Sequence, residues 1–98
     1  MLREKVYLQL KKVPIGKVVT YKILAHSINS KAYRAIGSFM RTNKDPVNLP
    51  CFKVVCSDGE VGEYSGRGGI KRKIELLRKD GIEVKNNKVD LKKYLHKF

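Results

Sequence analysis

The chain has no apolar run approaching the ~20 residues that a membrane span requires, and Leu8-Gln9-Leu10 is too soon interrupted by charge to act as a signal peptide. A cytoplasmic protein is expected, associated with the nucleoid, or a nuclear one if the host has a nucleus. Acidic residues are scarce. The 98 residues carry 9 Asp and Glu against 22 Lys and Arg, a net charge of +13, with basic residues running from Arg3 to Lys97. Such an imbalance on so small a body points to a polyanionic partner. Nucleic acid is favoured over anionic lipid, because no long amphipathic basic helix stands apart from the rest. Cysteine and histidine are also few. Cys51, Cys56, His26 and His96 do not form two halves with ligands about two to four residues apart, so no metal site is expected. A disulfide between the cysteines would strain a strand segment and belongs to an oxidising compartment. Neither a P-loop nor a dinucleotide fingerprint is present, and no repeat or linker breaks the chain. With 42% apolar residues, residues 1–98 read as one domain with one modest core.

What is there falls into short helical and extended pieces. Leu2, Val6, Leu10 and Val13 recur at helical spacing, which predicts a helix over 2–12 that Val13-Pro14-Ile15-Gly16 ends. Lys17-Val18-Val19 is extended, and Thr20 is placed to cap a second helix from Tyr21 to Ile28, with Ile23, Leu24 and Ile28 apolar and His26 at or near the surface. After Asn29, Ser30 reads as the N-cap of a third helix over 31–42. Ala32, Ala35, Ile36, Phe39 and Met40 form one face of it, and Lys31, Arg34, Ser38 and Arg41 the other. Two short helices joined by a polar turn, the second with a small and basic outer face, form a helix-turn-helix pattern. Gly37 inside that helix costs about 1 kcal/mol against Ala, which suggests close approach of another backbone, protein or nucleic acid.

Leu49-Pro50-Cys51-Phe52-Lys53-Val54-Val55 follows a Lys44-Asp45-Pro46 turn. Pro50 fixes its own φ and holds Cys51 at the mouth of a short buried strand, offering a thiol at a strand edge. Ser57-Asp58-Gly59-Glu60 reads as a hairpin-type turn, and 62–69 as a Gly-rich basic loop with one aromatic, able to close over a flat ligand. A helix over 70–79 is expected to turn Ile70, Ile74 and Leu77 inward and Lys71, Arg72, Lys73 and Arg78 outward, with Asp80-Gly81 stopping it. Ile82-Glu83-Val84 and Lys88-Val89-Asp90 flank Asn86-Asn87 as a small hairpin ahead of a basic end. The fold class is α+β, a small and mostly helical winged helix-turn-helix-like domain with a short β-hairpin.

This order of parts resembles the active, DNA-binding domain of the O6-alkylguanine-DNA alkyltransferases, from about Val13 to Gly81. The motifs are Gly-Lys-Val-Val-Thr-Tyr at 16–21, Arg34-Ala35-Ile36-Gly37 through Met40-Arg41-Thr42-Asn43, Pro50-Cys51 followed by Val54-Val55, and Gly62-Glu63-Tyr64-Ser65-Gly66. The resemblance implies that Cys51 is the alkyl acceptor, that Asn43 is the hinge bracing it, and that Arg34 fills the gap left by an extruded base. It implies that Tyr21 assists rotation of the nucleotide and protonates the leaving guanine. The backbone of Cys51 and Val54 would read the base edge, with Met40, Tyr64 and Ser65 around the pocket. Thr20, Lys31, Ala35, Gly37, Ser38 and Arg41 would lie with Arg34 on the DNA.

The chemistry agrees with those roles. A base inside a duplex is out of reach, so it is flipped at a cost of a few kcal/mol that wedging and phosphate contacts offset. A thiol near pKa ~8.5 is mostly protonated at neutral pH, so the surroundings must favour the thiolate. The family usually has His and Arg directly after the Cys, with the His linked to a Glu near the end of the last helix. Here Phe52 and Lys53 follow Cys51, and Asp80 best matches the Glu. Activation then rests on the positive field, a helix N-terminus or Lys53. Many members carry an additional N-terminal domain, and the short alkyltransferase-like proteins typically replace the acceptor Cys; this chain has the acceptor of one group and the size of the other. The expected function is single-turnover repair, a methylated-DNA–protein-cysteine S-methyltransferase that moves an alkyl group from guanine in double-stranded DNA to Cys51 as a monomer without a cofactor. The alternatives are a lesion binder that does not transfer, and a winged helix-turn-helix regulator. The repair reading expects the Cys51 sulfur to be open to a flipped nucleotide.

Overall fold

Two pairs of adjacent valines divide the molecule. In the computed structural model, which describes residues 2–43, 49–62 and 68–98, strand β1 (Val19–Thr20) runs parallel to β2 (Val54–Val55), with Val19 opposite Val54 and Thr20 opposite Val55. Successive side chains of extended backbone point to opposite faces. Val19 and Val54 therefore enter one core, and Val18 and Val55 enter another.

The first core is helical. Helix α1 (Leu2–Lys11) contributes Val6 and Leu10, α2 (Tyr21–His26) contributes Leu24 and Ala25, and α3 (Tyr33–Arg41) contributes Ile36 and Met40; Val13 and Cys51 complete it. A parallel strand pair needs a crossover, and the chain between β1 and β2 supplies α2 and α3 for it. Thr20 caps α2 as the sequence predicts: its backbone is extended and its Oγ1 accepts a hydrogen bond from the Ile23 amide at 3.1 Å. Helix α3 begins later than expected. Asn29 takes a left-handed conformation with φ 56°, and the Ser30 hydroxyl accepts from the Ala32 amide at 3.0 Å, so Ser30 closes a local turn and the helix starts at Tyr33. Ala32 is left exposed, not inward. At Gly37 a Cβ would meet nothing within 4 Å among the described residues, so of the two expected neighbours no described protein backbone approaches it, and the nucleic-acid one is untouched by this.

The second core joins Val61 to Leu77 of α4 (Gly69–Lys79), Ile82, Val84 of β3 (Val84–Lys85), Val89 of β4 (Lys88–Val89) and Tyr94 of α5 (Leu91–Tyr94). The β3–β4 hairpin turns at Asn86 and Asn87, both left-handed with φ 51° and 60°, as a two-residue turn matching the strand twist requires. The turn at 57–60 closes with the Cys56 amide donating to the Glu60 carbonyl at 2.8 Å. Gly59 is obligatory there. Its φ is 92°, and a Cβ would sit 2.6 Å from the Val89 carbonyl oxygen, while its own carbonyl accepts from the Val89 amide at 2.8 Å.

Helix α4 turns Leu77 inward and packs half-buried Ile74 against the second core as predicted, but departs at two positions: Ile70 is 42% exposed and Lys73 is buried. The buried stripe steps back four residues from Leu77 to Lys73, and the ammonium is accepted inside because a backbone carbonyl receives it.

Candidate functional site

Cys51 lies where the first core meets β2. It opens a 3-10 turn, Cys51–Lys53, whose N-cap is Pro50. The expectation of a thiol at a strand edge is corrected in two respects: the turn precedes the strand, and Cys51 is only 4% exposed, packed in one core with Met40 and Val54. Asn43, at 8% exposure just past α3, donates through Nδ2 to the Leu49 carbonyl at 2.8 Å, and the Cys51 amide donates to that same carbonyl at 2.7 Å. A single oxygen thus ties the end of α3 to the cysteine turn. Tyr64 and Ser65 lie outside the described residues.

Two lysines hold this region from behind. Lys53 is buried, and its Nζ donates to the carbonyls of Pro14 at 2.9 Å and Val13 at 3.4 Å and pairs with the Asp80 carboxylate at 3.2 Å. Asp80 Oδ2 also accepts from the Gly16 amide at 2.9 Å. The Lys53 ammonium thus meets the 13–16 turn and Asp80, and Asp80 meets Lys53 and the Gly16 amide. Side-chain exposures of 6% and 13% make the pair largely buried, so removing one partner costs about 3–5 kcal/mol, the range for stranding a buried charge. Phe52, standing at the family's His position, turns its ring to the second core.

Sequence reasoning missed Lys73. It is 1% exposed, and its Nζ donates to the Val54 carbonyl at 2.8 Å. That oxygen keeps a second lone pair for another donor. The sequence signal for it is the four-residue step back from Leu77, which puts Lys73 on the same face of the helix. The second thiol, Cys56, is half-buried and free. Burial, then the Asp58 carboxylate, push it above the ordinary thiol value; Lys73 pulls part of the way back, and Glu60 adds a smaller push upward.

The polar face of α3 is open. Lys31, Arg34 and Arg41 are exposed, and Ala35, Gly37 and Ser38 are half-buried beside them. Thr20 does not share that face. It is 4% exposed and its hydroxyl is occupied in capping α2, so it positions the helix instead of meeting a ligand. Tyr21 opens α2 half-buried and lines a cleft of about 460 Å³ with Lys22, Tyr33, Cys56 and Ser57. Tyr33 is set by a 2.6 Å hydrogen bond between its hydroxyl and His26 Nε2.

A helix-turn-helix with a hairpin wing, an open basic second helix and a cysteine braced at that helix's end defines the class: a DNA-binding domain built around one thiol. Residues 1–82 match the family model described as 6-O-methylguanine DNA methyltransferase, DNA binding domain, and the chain belongs to that family. It is 47% identical over 89 residues to a bifunctional methyltransferase/endonuclease of Picrophilus torridus, covering 90% of this chain and 29% of that protein. With the human methylated-DNA–protein-cysteine methyltransferase it shares 45% identity over 80 residues, 81% of this chain and 38% of that one. The chain therefore spans well under half the length of these curated relatives. Among solved structures, S. pombe Atl1 in complex with damaged DNA containing O6-carboxymethylguanine superposes with a TM-score of 0.87 at 25% identity, covering 98% of this chain and 94% of that one.

Proposed function

We propose that this protein binds duplex DNA, turns an O6-alkylguanine out of the stack and takes the alkyl group onto Cys51 in one irreversible turnover. The observation that carries the reading is the shared Leu49 carbonyl, which fixes Cys51 to the end of the exposed basic helix through Asn43. In the reaction the sulfur forms a bond to the alkyl carbon as the bond from that carbon to guanine O6 breaks. The electron pair leaves with the guanine, which takes a proton from Tyr21, and the proton given up by the thiol returns to Tyr21 through solvent, so the exchange closes without net gain or loss of a proton. Arg34 fills the vacated stack, and Lys31, Ser38 and Arg41 hold the backbone. Met40, Val54, Tyr64 and Ser65 bound the base, and Ala35 and Gly37 let α3 approach closely. Asp80 serves through Lys53, which it holds in place. At 4% exposure the Cys51 sulfur is not open as the repair reading expects, so transfer requires that binding of the lesion opens the site to it.

Phe52 favours a second reading. A phenyl ring carries no proton, so the relay through the family's His is missing, and a protein that binds the lesion and leaves it unrepaired follows. Intact mass after mixing with a duplex bearing O6-methylguanine separates the two. Gain of one methylene, lost in Cys51→Ala, supports transfer; lesion-selective binding without a mass change supports the flagging role. Indifference to the lesion removes both and leaves a regulator. Arg34→Ala should weaken lesion and normal duplex unequally.

A further inference from the structure

The matched family domain ends at residue 82, yet the chain beyond it is built into the fold. Tyr94 is 8% exposed in the second core, and Asp90 caps α5 by accepting from the Lys92 amide. The Val18 amide donates to the Tyr94 carbonyl at 2.8 Å, and the His96 amide to the Val18 carbonyl at 2.7 Å, so Val18 and Leu95 form a parallel bridge on the other side of β1 from β2. Parallel pairing fixes direction. Because β1 runs into α2, residues 97 and 98 are carried alongside α2, where Lys97 and Phe98 face Ile23, His26 and Ser27 across a cleft of about 340 Å³. The Phe98 ring packs edge-on against His96 with centroids 4.8 Å apart.

The charge pattern gives this placement a meaning. No Asp or Glu occurs between Glu4 and Asp45, nor anywhere after Asp90. The bridge at Val18 sets these two acid-free stretches side by side, with Lys22 exposed on α2 and Lys97 at the cleft. The first helix of a helix-turn-helix crosses the phosphate backbone. We infer that the 83–98 segment is an additional backbone-gripping element, in which Lys97 beside α2 contacts a DNA phosphate outside the footprint of α3. This rests on the reading of the chain as a duplex binder, and the occupant is the sugar-phosphate backbone, without base readout.

Binding is measured across a salt series on an O6-methylguanine duplex and on its undamaged counterpart. Lys97→Ala should lower the slope of log affinity against log salt by about 0.9, one released phosphate contact, equally on both duplexes, so the lesion preference is kept. Lys79→Ala, an exposed lysine at the end of α4 and outside the 83–98 segment, removes the same charge and should leave the slope unchanged. An unaltered slope in Lys97→Ala overturns the inference, and so does an equal drop in Lys79→Ala, which would make the effect one of net charge alone. If the native protein shows no lesion preference, the repair reading falls while the slopes still decide this one.

Discussion

The two cores on either side of β1 and β2 solve different problems. The first is almost wholly aliphatic, packing α1, α2 and α3 around Val19 and Val54, with Cys51 the one reactive group in its cluster. The second lies against a fully buried ammonium, Lys73, whose bond to the Val54 carbonyl crosses the seam to the strand beside Cys51. The first core shapes the DNA-facing helices by ordinary packing. The second side holds the backbone behind the thiol through charge: Lys73 on Val54, and Lys53 with Asp80 on the 13–16 turn. A close helix pair tolerates exchanges of similar volume. A buried ammonium on a carbonyl does not, because loss of either partner strands the other.

The largest expected effect tests that difference directly. Lys73→Ala removes the largest fully buried side chain among the described residues and leaves the Val54 carbonyl without this donor. A loss of about 2–4 kcal/mol in urea unfolding follows, combining a cavity with an unmet acceptor. Lys71→Ala, two residues away and exposed, should stay within about 0.5 kcal/mol. Equal values for the two would erase the distinction between the cores.

These contrasts also decide how much could be read from the chain. The helix-turn-helix was legible because apolar spacing in α1 and α2, the Thr20 cap and the stripe of Ile36 and Met40 are local patterns that packing then confirms. Asn86-Asn87 announced its hairpin for the same reason. What escaped was set by distant partners. Lys73 is inward because a carbonyl nineteen residues away accepts it, and Ile70 is outward because the stripe follows Lys73. Residues 94–96 pair with Val18 from the far end of the sequence, which no window of sequence displays. At the candidate site, Cys51, Asn43 and Arg34 are candidates on motif likeness alone. The contacts of Lys53 and Asp80 with the 13–16 turn, and the burial of Thr20, needed coordinates.

A smaller effect sharpens the link from β1 to the DNA-facing helices. Thr20→Ala deletes the oxygen that accepts the Ile23 amide, at a cost of about 1 kcal/mol. Since the residue is buried, the salt dependence of DNA binding should be untouched while the unfolding midpoint falls. A reduced salt slope would restore Thr20 to the contact surface.

The smallest effect concerns the second thiol, Cys56, beside the Lys73 ammonium. Burial and Asp58 hold Cys56 above the usual thiol range, so the folded state keeps this proton more tightly than the unfolded chain does. Its contribution to stability is therefore complete below the unfolded thiol value and lost as pH rises through the folded one, at the alkaline end of the scale. In a Cys51→Ala background, alkylation of Cys56 by iodoacetamide should be slower at neutral pH than that of a free cysteine and should rise with a midpoint shifted upward. Asp58→Asn should bring the midpoint partly down, and Lys73→Ala should move it further up, since the ammonium is the lowering influence. A downward shift in Lys73→Ala would mean that this ammonium does not act on the seam between the cores through its charge.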